Sequence, residues 1–351
     1  MEEVYSKLAN HLNDLPTGFP ATDSGVELKI LKRLFSPLES KVALGLTMMM
    51  EPVPAVAKRL DMDEVELGPL LEKMSKKGLI LRSSKGGQTL YMAAQFVPGI
   101  WEYHVNDLDE EFINDFNAYA PHLFKEHSKL KTQPLRIIPI SKSVSAEMRV
   151  MAYDEAEQII KKQSKIVVAD CICRKEHKMV GHGCDKPMHN CLVFAGGAYY
   201  YEENDLGRSI TQEEALEILN EGIEAGLVLQ PGNSQKPSNI CLCCGCCCQI
   251  LKGIKNLEKP AQIVNSSYFA AVNEEECTAC GACEDRCQME AITVDDVSHV
   301  DTDKCIGCGL CIPTCDPGAI KLFEKQEEEK WIPPKNIFET YINIATERGK
   351  I

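Results

Sequence analysis

The stretch ECTACGACEDRCQMEAI, residues 276–292, places four cysteines within eleven residues. Twenty-eight positions further on, KCIGCGLCIPTCDPGAI, residues 304–320, repeats the pattern cysteine for cysteine. Each copy reads C-x2-C-x2-C-x3-C, through Cys277, Cys280, Cys283 and Cys287 and then Cys305, Cys308, Cys311 and Cys315. Three thiols at this spacing can wrap one face of a compact metal core, while the fourth is poorly placed to complete the same one. Small residues at Ala279, Gly281, Gly307 and Gly309 let the backbone turn tightly around such a core.

The rest of the chain narrows the setting. Its 351 residues suffice for two or three compact domains, and a hydrophobic content of 44% marks a globular protein. A net charge of -14 argues against a large nucleic-acid footprint. The start, MEEVYSKLANHLNDLP, lacks the basic opening and apolar run of a signal peptide, and no apolar run reaches the roughly 18 residues of a membrane span. A cytoplasmic protein without a membrane span is therefore expected. Its 18 cysteines would stay reduced there, and they cluster, with none before Cys171. Reduced, clustered cysteines read as metal ligands.

The repeat resembles bacterial-type ferredoxins with two [4Fe-4S] clusters, over residues 268–325. That resemblance implies crosswise ligation, in which the last cysteine of each motif serves the other cluster. One cluster would use Cys277, Cys280, Cys283 and Cys315, and the second Cys305, Cys308, Cys311 and Cys287. Backbone N–H groups of the small-residue turns would point at sulfur, and AITV and AIKLF would form the short strands after each motif. The chain departs from the family in one respect: Gln288 and Asp316 stand where proline directly follows the fourth cysteine, with Pro317 one place late. Zinc is the alternative occupant of four thiolates. Such a module moves single electrons, and NEEEC, CEDRC and DDVSHVDTD make it acidic, which suits docking to a basic redox partner protein.

Ten further cysteines lie in the middle. KIVVADCIC reads as a buried strand on which Cys171 and Cys173 would share a face. With Cys184 and Cys191 they form C-x-C-x10-C-x6-C, a set suited to a third cluster, with His177, His182 and His189 as weaker candidates. CLCCGCCC adds Cys241, Cys243, Cys244, Cys246, Cys247 and Cys248, too many for one core because adjacent side chains diverge. One or two further [4Fe-4S] clusters are expected from these ten, with zinc or a redox thiol pair as alternatives. Arg174 puts a permanent charge beside the site, its plainer role being a surface ion pair. Tyr199, Tyr200 and Tyr201 suit core or interface positions, and SITQEEALEILNEGIEAGLV suits an amphipathic helix capped by Thr211 and Glu214 and ending near Gly226. The combination DCICR…GCDKPMHNCLVF…CLCCGCCC followed by a ferredoxin module resembles iron–sulfur proteins of anaerobic bacteria and archaea described only as 4Fe-4S binding proteins; the resemblance carries no substrate.

The N-terminal third differs in character. Val53, Val56, Ala57 and Leu60 sit at helical spacing, and a second series, Leu67, Leu70, Leu71 and Met74, follows Asp63 and ends at Gly78. LILR, a turn at SSKGG and TLYMA then read as a hairpin, so the segment resembles a winged helix. Pro69 should interrupt its second helix or force a later start. Glu64, Glu66 and Glu72 balance Lys73, Lys76 and Lys77, which counts against DNA and favours a structural or docking role. Near the end, Phe338, Tyr341, Ile342 and Ala345 would line one face of a short helix.

The expected fold is α+β and multidomain. It comprises a winged-helix-like domain over 1–105, a helical linker over 106–135, a cysteine-rich α/β metal-binding domain over 136–265, a 2[4Fe-4S] ferredoxin-like domain over 266–325, and a linker with a docking helix over 326–351. The leading functional expectation is an electron-transfer protein of an anaerobe, either a soluble carrier or a subunit of a larger oxidoreductase. A reductase with a catalytic central site and a redox-responsive DNA-binding regulator are the rivals.

Overall fold

A computed structural model describes residues 2–351. Three helices, Glu2–Asp14, Val26–Leu34 and Pro37–Ala43, open the chain, the last set by a reciprocal cap between Ser36 and Glu39. A two-residue strand β1, Glu51–Pro52, precedes helices Val53–Leu60 and Glu64–Lys76. Asp63 caps the second by accepting from the Val65 amide. Contrary to expectation, that helix runs through Pro69. The residue before it is Gly68, which has no Cβ to collide with the proline ring.

Strands β2, Ile80–Lys85, and β3, Gln88–Ala93, form a hairpin closed by Gly86 and Gly87, both at positive φ as a tight two-residue turn requires. β1 adds to the far side of β3. The 18-residue helix Glu110–His127 then buries Phe112, Phe116, Tyr119 and Leu123, and Trp101 stacks on Phe116.

The centre is a five-stranded sheet of β4, Ile166–Asp170, β5, His189–Phe194, β6, Arg208–Ile210, β7, Val228–Pro231, and β8, Asn239–Cys243. The order is β6-β4-β5-β8-β7 and every described pairing is antiparallel, unlike the parallel sheet an α/β region usually holds. Alternation along the strands feeds two cores. Val167, Ala169 and Val193 join the core of the N-terminal helices and hairpin, whereas Ile166, Val168, Leu192 and Phe194 join a second core with helix Gln212–Glu224. Burial on both faces accounts for the uninterrupted apolar run IVVA. Thr211 caps Gln212–Glu224 by accepting from the Glu214 amide, and Gly226 follows it at positive φ.

In the C-terminal part, β9, Tyr268–Val272, pairs with β12, Ile320–Glu324, and β10, Ile292–Val294, pairs with β11, Ser298–Val300. AITV and AIKLF thus supply strands after their motifs. The closing helix, Ile337–Glu347, packs back on the body. Its buried residues are Thr340, Ile344 and Ala345, while Phe338 and Ile342, expected on the inner face, are exposed. Polar anchors set this rotation. Thr340 donates to the Asn233 carbonyl at 2.5 Å, and Glu347 accepts from the Thr132 hydroxyl at 2.6 Å. Among the described residues, no helix is long and apolar enough to cross a membrane.

Candidate metal centres

In the C-terminal repeat, one small cavity is lined by Cys277, Cys280, Cys283 and Cys315, and another by Cys287, Cys305, Cys308 and Cys311. Each therefore takes three cysteines from one motif and the last from the other. The turns that bring them round are left-handed at equivalent places in both copies, Ala279 with Gly307 and Gly281 with Gly309. A side chain at Gly307 would in addition run into the Tyr268 carbonyl. Backbone amides reach sulfur: Ala279 and Ser298 on Cys277 at 3.5 and 3.3 Å, Ala270 on Cys305 at 3.4 Å, and Ala291 on Cys287 at 3.3 Å. The Ala279 amide, helped by Ser298, holds the Cys277 thiol below its ordinary value. Burial pushes Cys308 up to about 12, so a metal must displace its proton. Four convergent thiols with amide donors fit an iron–sulfur cluster at each place.

The ten central cysteines divide differently from the expected grouping. Cys184 joins Cys244, Cys246 and Cys247, whose sulfurs all lie within 4.8 Å of one another. The contacts are 3.9 Å for Cys184–Cys244, 3.7 Å for Cys184–Cys247 and 3.8 Å for Cys246–Cys247. Thiolates around a tetrahedral zinc, at about 2.3 Å from the metal, stand about 3.8 Å apart, so this set has the spacing of a single-ion site. Hydrogen bonding from Cys247, with Arg174 nearby, draws Cys244 down to about 5.

The other six, Cys171, Cys173, Cys191, Cys241, Cys243 and Cys248, line a separate cavity of about 190 Å³. Cys171 and Cys173 do not share a strand face: β4 ends at Asp170, and Cys171 caps helix Ile172–Met179, which contains Cys173. The alternate-residue logic holds instead for Cys241 and Cys243 on β8, and Cys191 lies opposite Cys241 across the ladder. Cys248 begins helix Gln249–Lys255 as its cap residue.

Arg174 is not on the surface. It is fully buried between the two central sets and donates to the carbonyls of Pro187, at 2.8 Å, and Leu242. None of His177, His182 and His189 joins the four-thiol set. His177 bonds the Cys173 carbonyl and Lys252, and the exposed His189 pairs with Asp170. Tyr200 of helix Ala195–Glu203 is buried and donates to the Ser75 and Ile80 carbonyls, tying that helix to helix Glu64–Lys76 and the hairpin, Tyr201 lines the cavity, and Tyr199 is exposed.

Several residues of the site carry no motif. Glu102 lines the cavity and accepts from the Gly99 amide at 2.6 Å; burial pushes its carboxyl up to about 8. Asn190 also lines it, 1% exposed, with neither amide atom hydrogen-bonded. Gln288, the residue in place of the family proline, accepts from the Gly245 amide at 2.9 Å. A Cβ on Gly245 would collide with the Gln288 carbonyl, so glycine between Cys244 and Cys246 brings that loop against the ferredoxin motif.

Residues 270–293 and 298–321 each match the 4Fe-4S binding domain family. No curated protein and no solved structure matches the chain. Over residues 270–321 the chain carries a ferredoxin-type 4Fe-4S binding region.

Proposed function

We propose that this is an electron-transfer protein, a carrier or an oxidoreductase subunit of an anaerobe, built on two [4Fe-4S] clusters with crosswise ligands. Cys277, Cys280, Cys283 and Cys315 hold one cluster, and Cys287, Cys305, Cys308 and Cys311 the other. Bound there, the clusters supply reversible one-electron transfer. The observation that carries the reading is the pair of cavities, each lined by three thiols of one motif and one of the other.

The two ends of the module differ. Cys280 is exposed and stands among the exposed acids Glu274, Glu275, Glu276, Glu284 and Asp285, a surface suited to a basic redox partner. The second set is more deeply buried and adjoins Gln288, which touches the loop of Cys244, Cys246 and Cys247. That contact supports a direction of travel from the acidic surface towards the central thiols. The helix pair and hairpin over residues 53–93 are read as a winged-helix unit serving as a structural or docking module. Arg82 of the hairpin bonds Asn204 of the central region at 2.7 Å, and the exposed helix face is balanced in charge.

Reductive titration of the full chain under anaerobic conditions, followed by electron paramagnetic resonance, tests the proposal. At least two reducible [4Fe-4S] centres are expected in the wild type. Cys315→Ala should abolish the one served by the first motif and leave the other reducible. Loss of the centre served by Cys305, Cys308 and Cys311 instead would refute crosswise ligation.

A further inference from the structure

The cavity of six cysteines lies outside the matched family region, and its arrangement differs from that of a single-ion site. Its thiols form a continuous arc of neighbours: Cys191 beside Cys241, then Cys243, Cys248, Cys173 and Cys171. No three of these six come within the 4.8 Å mutual spacing that defines the Cys184 set. They bound a void of about 190 Å³ instead. An ion at about 2.3 Å from sulfur would reach a few of them and leave the void unfilled.

Two of the sulfurs already have side-chain amide donors. Asn239 Nδ2 lies 3.5 Å from Cys241 Sγ, and Gln230 Nε2 lies 3.7 Å from Cys248 Sγ. Amide donors of this kind orient and stabilise metal-bound sulfur. Gln230 is 2% exposed and Asn190 1% exposed, and neither amide atom of Asn190 has a partner within the protein. Leaving a buried amide without a partner is costly, and an occupant of the void can offer it a hydrogen-bonding group.

Charge points the same way. Several thiolates in an apolar chamber need compensating positive charge, and Arg174 beside Cys171 and Cys243 supplies only one unit. A core of several metal ions supplies the rest, and its bridging sulfides can accept from Asn190.

We propose that the chamber is a polynuclear iron–sulfur site. Its cluster is ligated by thiolates of the arc Cys171, Cys173, Cys191, Cys241, Cys243 and Cys248, separately from the Cys184 centre. The sequence divides its ligands accordingly. Cys243 turns to the chamber and Cys244 to the four-thiol set; Cys247 turns to the four-thiol set and Cys248 to the chamber. One peptide unit thus separates the ligands of the two centres at two places. The inference rests on the iron–sulfur reading of the chain, and the experiment separates its failure from the failure of that reading.

The test is iron, zinc and acid-labile sulfide per chain in anaerobically isolated full-length protein, with the ferredoxin resonance signal as internal control. Cys243→Ala with Cys248→Ala, which cuts the arc at its middle and leaves no four adjoining thiols, should remove about three irons or more per chain and leave the ferredoxin signal intact. A smaller loss with that signal retained would overturn the chamber cluster and leave a metal-free thiol pocket. Should the double variant fail to fold, metal content still decides. With zinc in the Cys184 set, a filled chamber requires more than about eight irons per chain; without zinc, more than about eight must remain in Cys184→Ser. Counts at or below those values would overturn the proposal, whereas absence of the ferredoxin signal would overturn the underlying reading.

Discussion

Gln288 shows how one residue outside the ligand set can shape the molecule. The ferredoxin resemblance implies proline at this position, and here a glutamine amide accepts from Gly245 at 2.9 Å, linking the second set of thiols to the central loop. Proline cannot make that contact. Gln288→Ala should lower stability by about 1 kcal/mol, the usual net value of one such hydrogen bond, while leaving the ferredoxin signal unchanged, because Gln288 contributes no thiol. Anaerobic denaturant titration and resonance spectra of the variant check both halves. The departure from the family pattern was visible in the sequence, but its meaning was not, because Gly245 lies 43 residues away in the chain. Asn190 and Glu102 were silent for a related reason: nothing local distinguishes an amide or carboxyl that folding buries against cysteines.

At the scale of elements, local periodicity was a sound guide and its boundaries were less so. The cysteine repeat located the strand after each motif, β10 and β12, but not their partners β11 and β9, while the apolar spacing around Val56 and Leu71 located two helices and the SSKGG turn the hairpin after them. KIVVADCIC misled by its length. β4 stops at Asp170, and the next residue caps a helix, so Cys171 and Cys173 meet through a cap and not through a pleat. The grouping of Cys184 failed because long-range packing, and not spacing, carries it to Cys244 and Cys247.

The end of helix Glu110–His127 makes a testable case of its own. His127 Nε2 bonds the Thr17 carbonyl at 2.7 Å in a buried setting, and burial pulls the ring down to about 4 from an ordinary 6.5. The unfolded chain therefore binds the proton more tightly. The native state keeps its full stability above pH 6.5 and loses it progressively as pH falls towards 4. Between pH 7 and pH 5 the loss from this group should be about 2 kcal/mol. His127→Gln, with an amide that can still donate to Thr17, should flatten that part of the pH dependence in denaturant titrations. An unchanged slope would remove His127 as its source.

Over the whole molecule, the thiols form a sequence of neighbouring groups. A set with one exposed thiol, Cys280, opens among acids, a more enclosed set follows around Cys311, a four-thiol set adjoins it through Gly245 and Gln288, and the six-cysteine chamber lies beyond Cys243 and Cys248. The central sheet contributes to both cores, and its strand β8 leads from Cys241 and Cys243 into the turn of Cys244, Cys246 and Cys247. The most direct test is the iron, acid-labile sulfide and zinc content of the full chain isolated without oxygen. The account expects at least about eight irons per chain, with matching sulfide, from the paired motifs alone. Fewer than about eight, or zinc in place of iron at those cysteines, would contradict it.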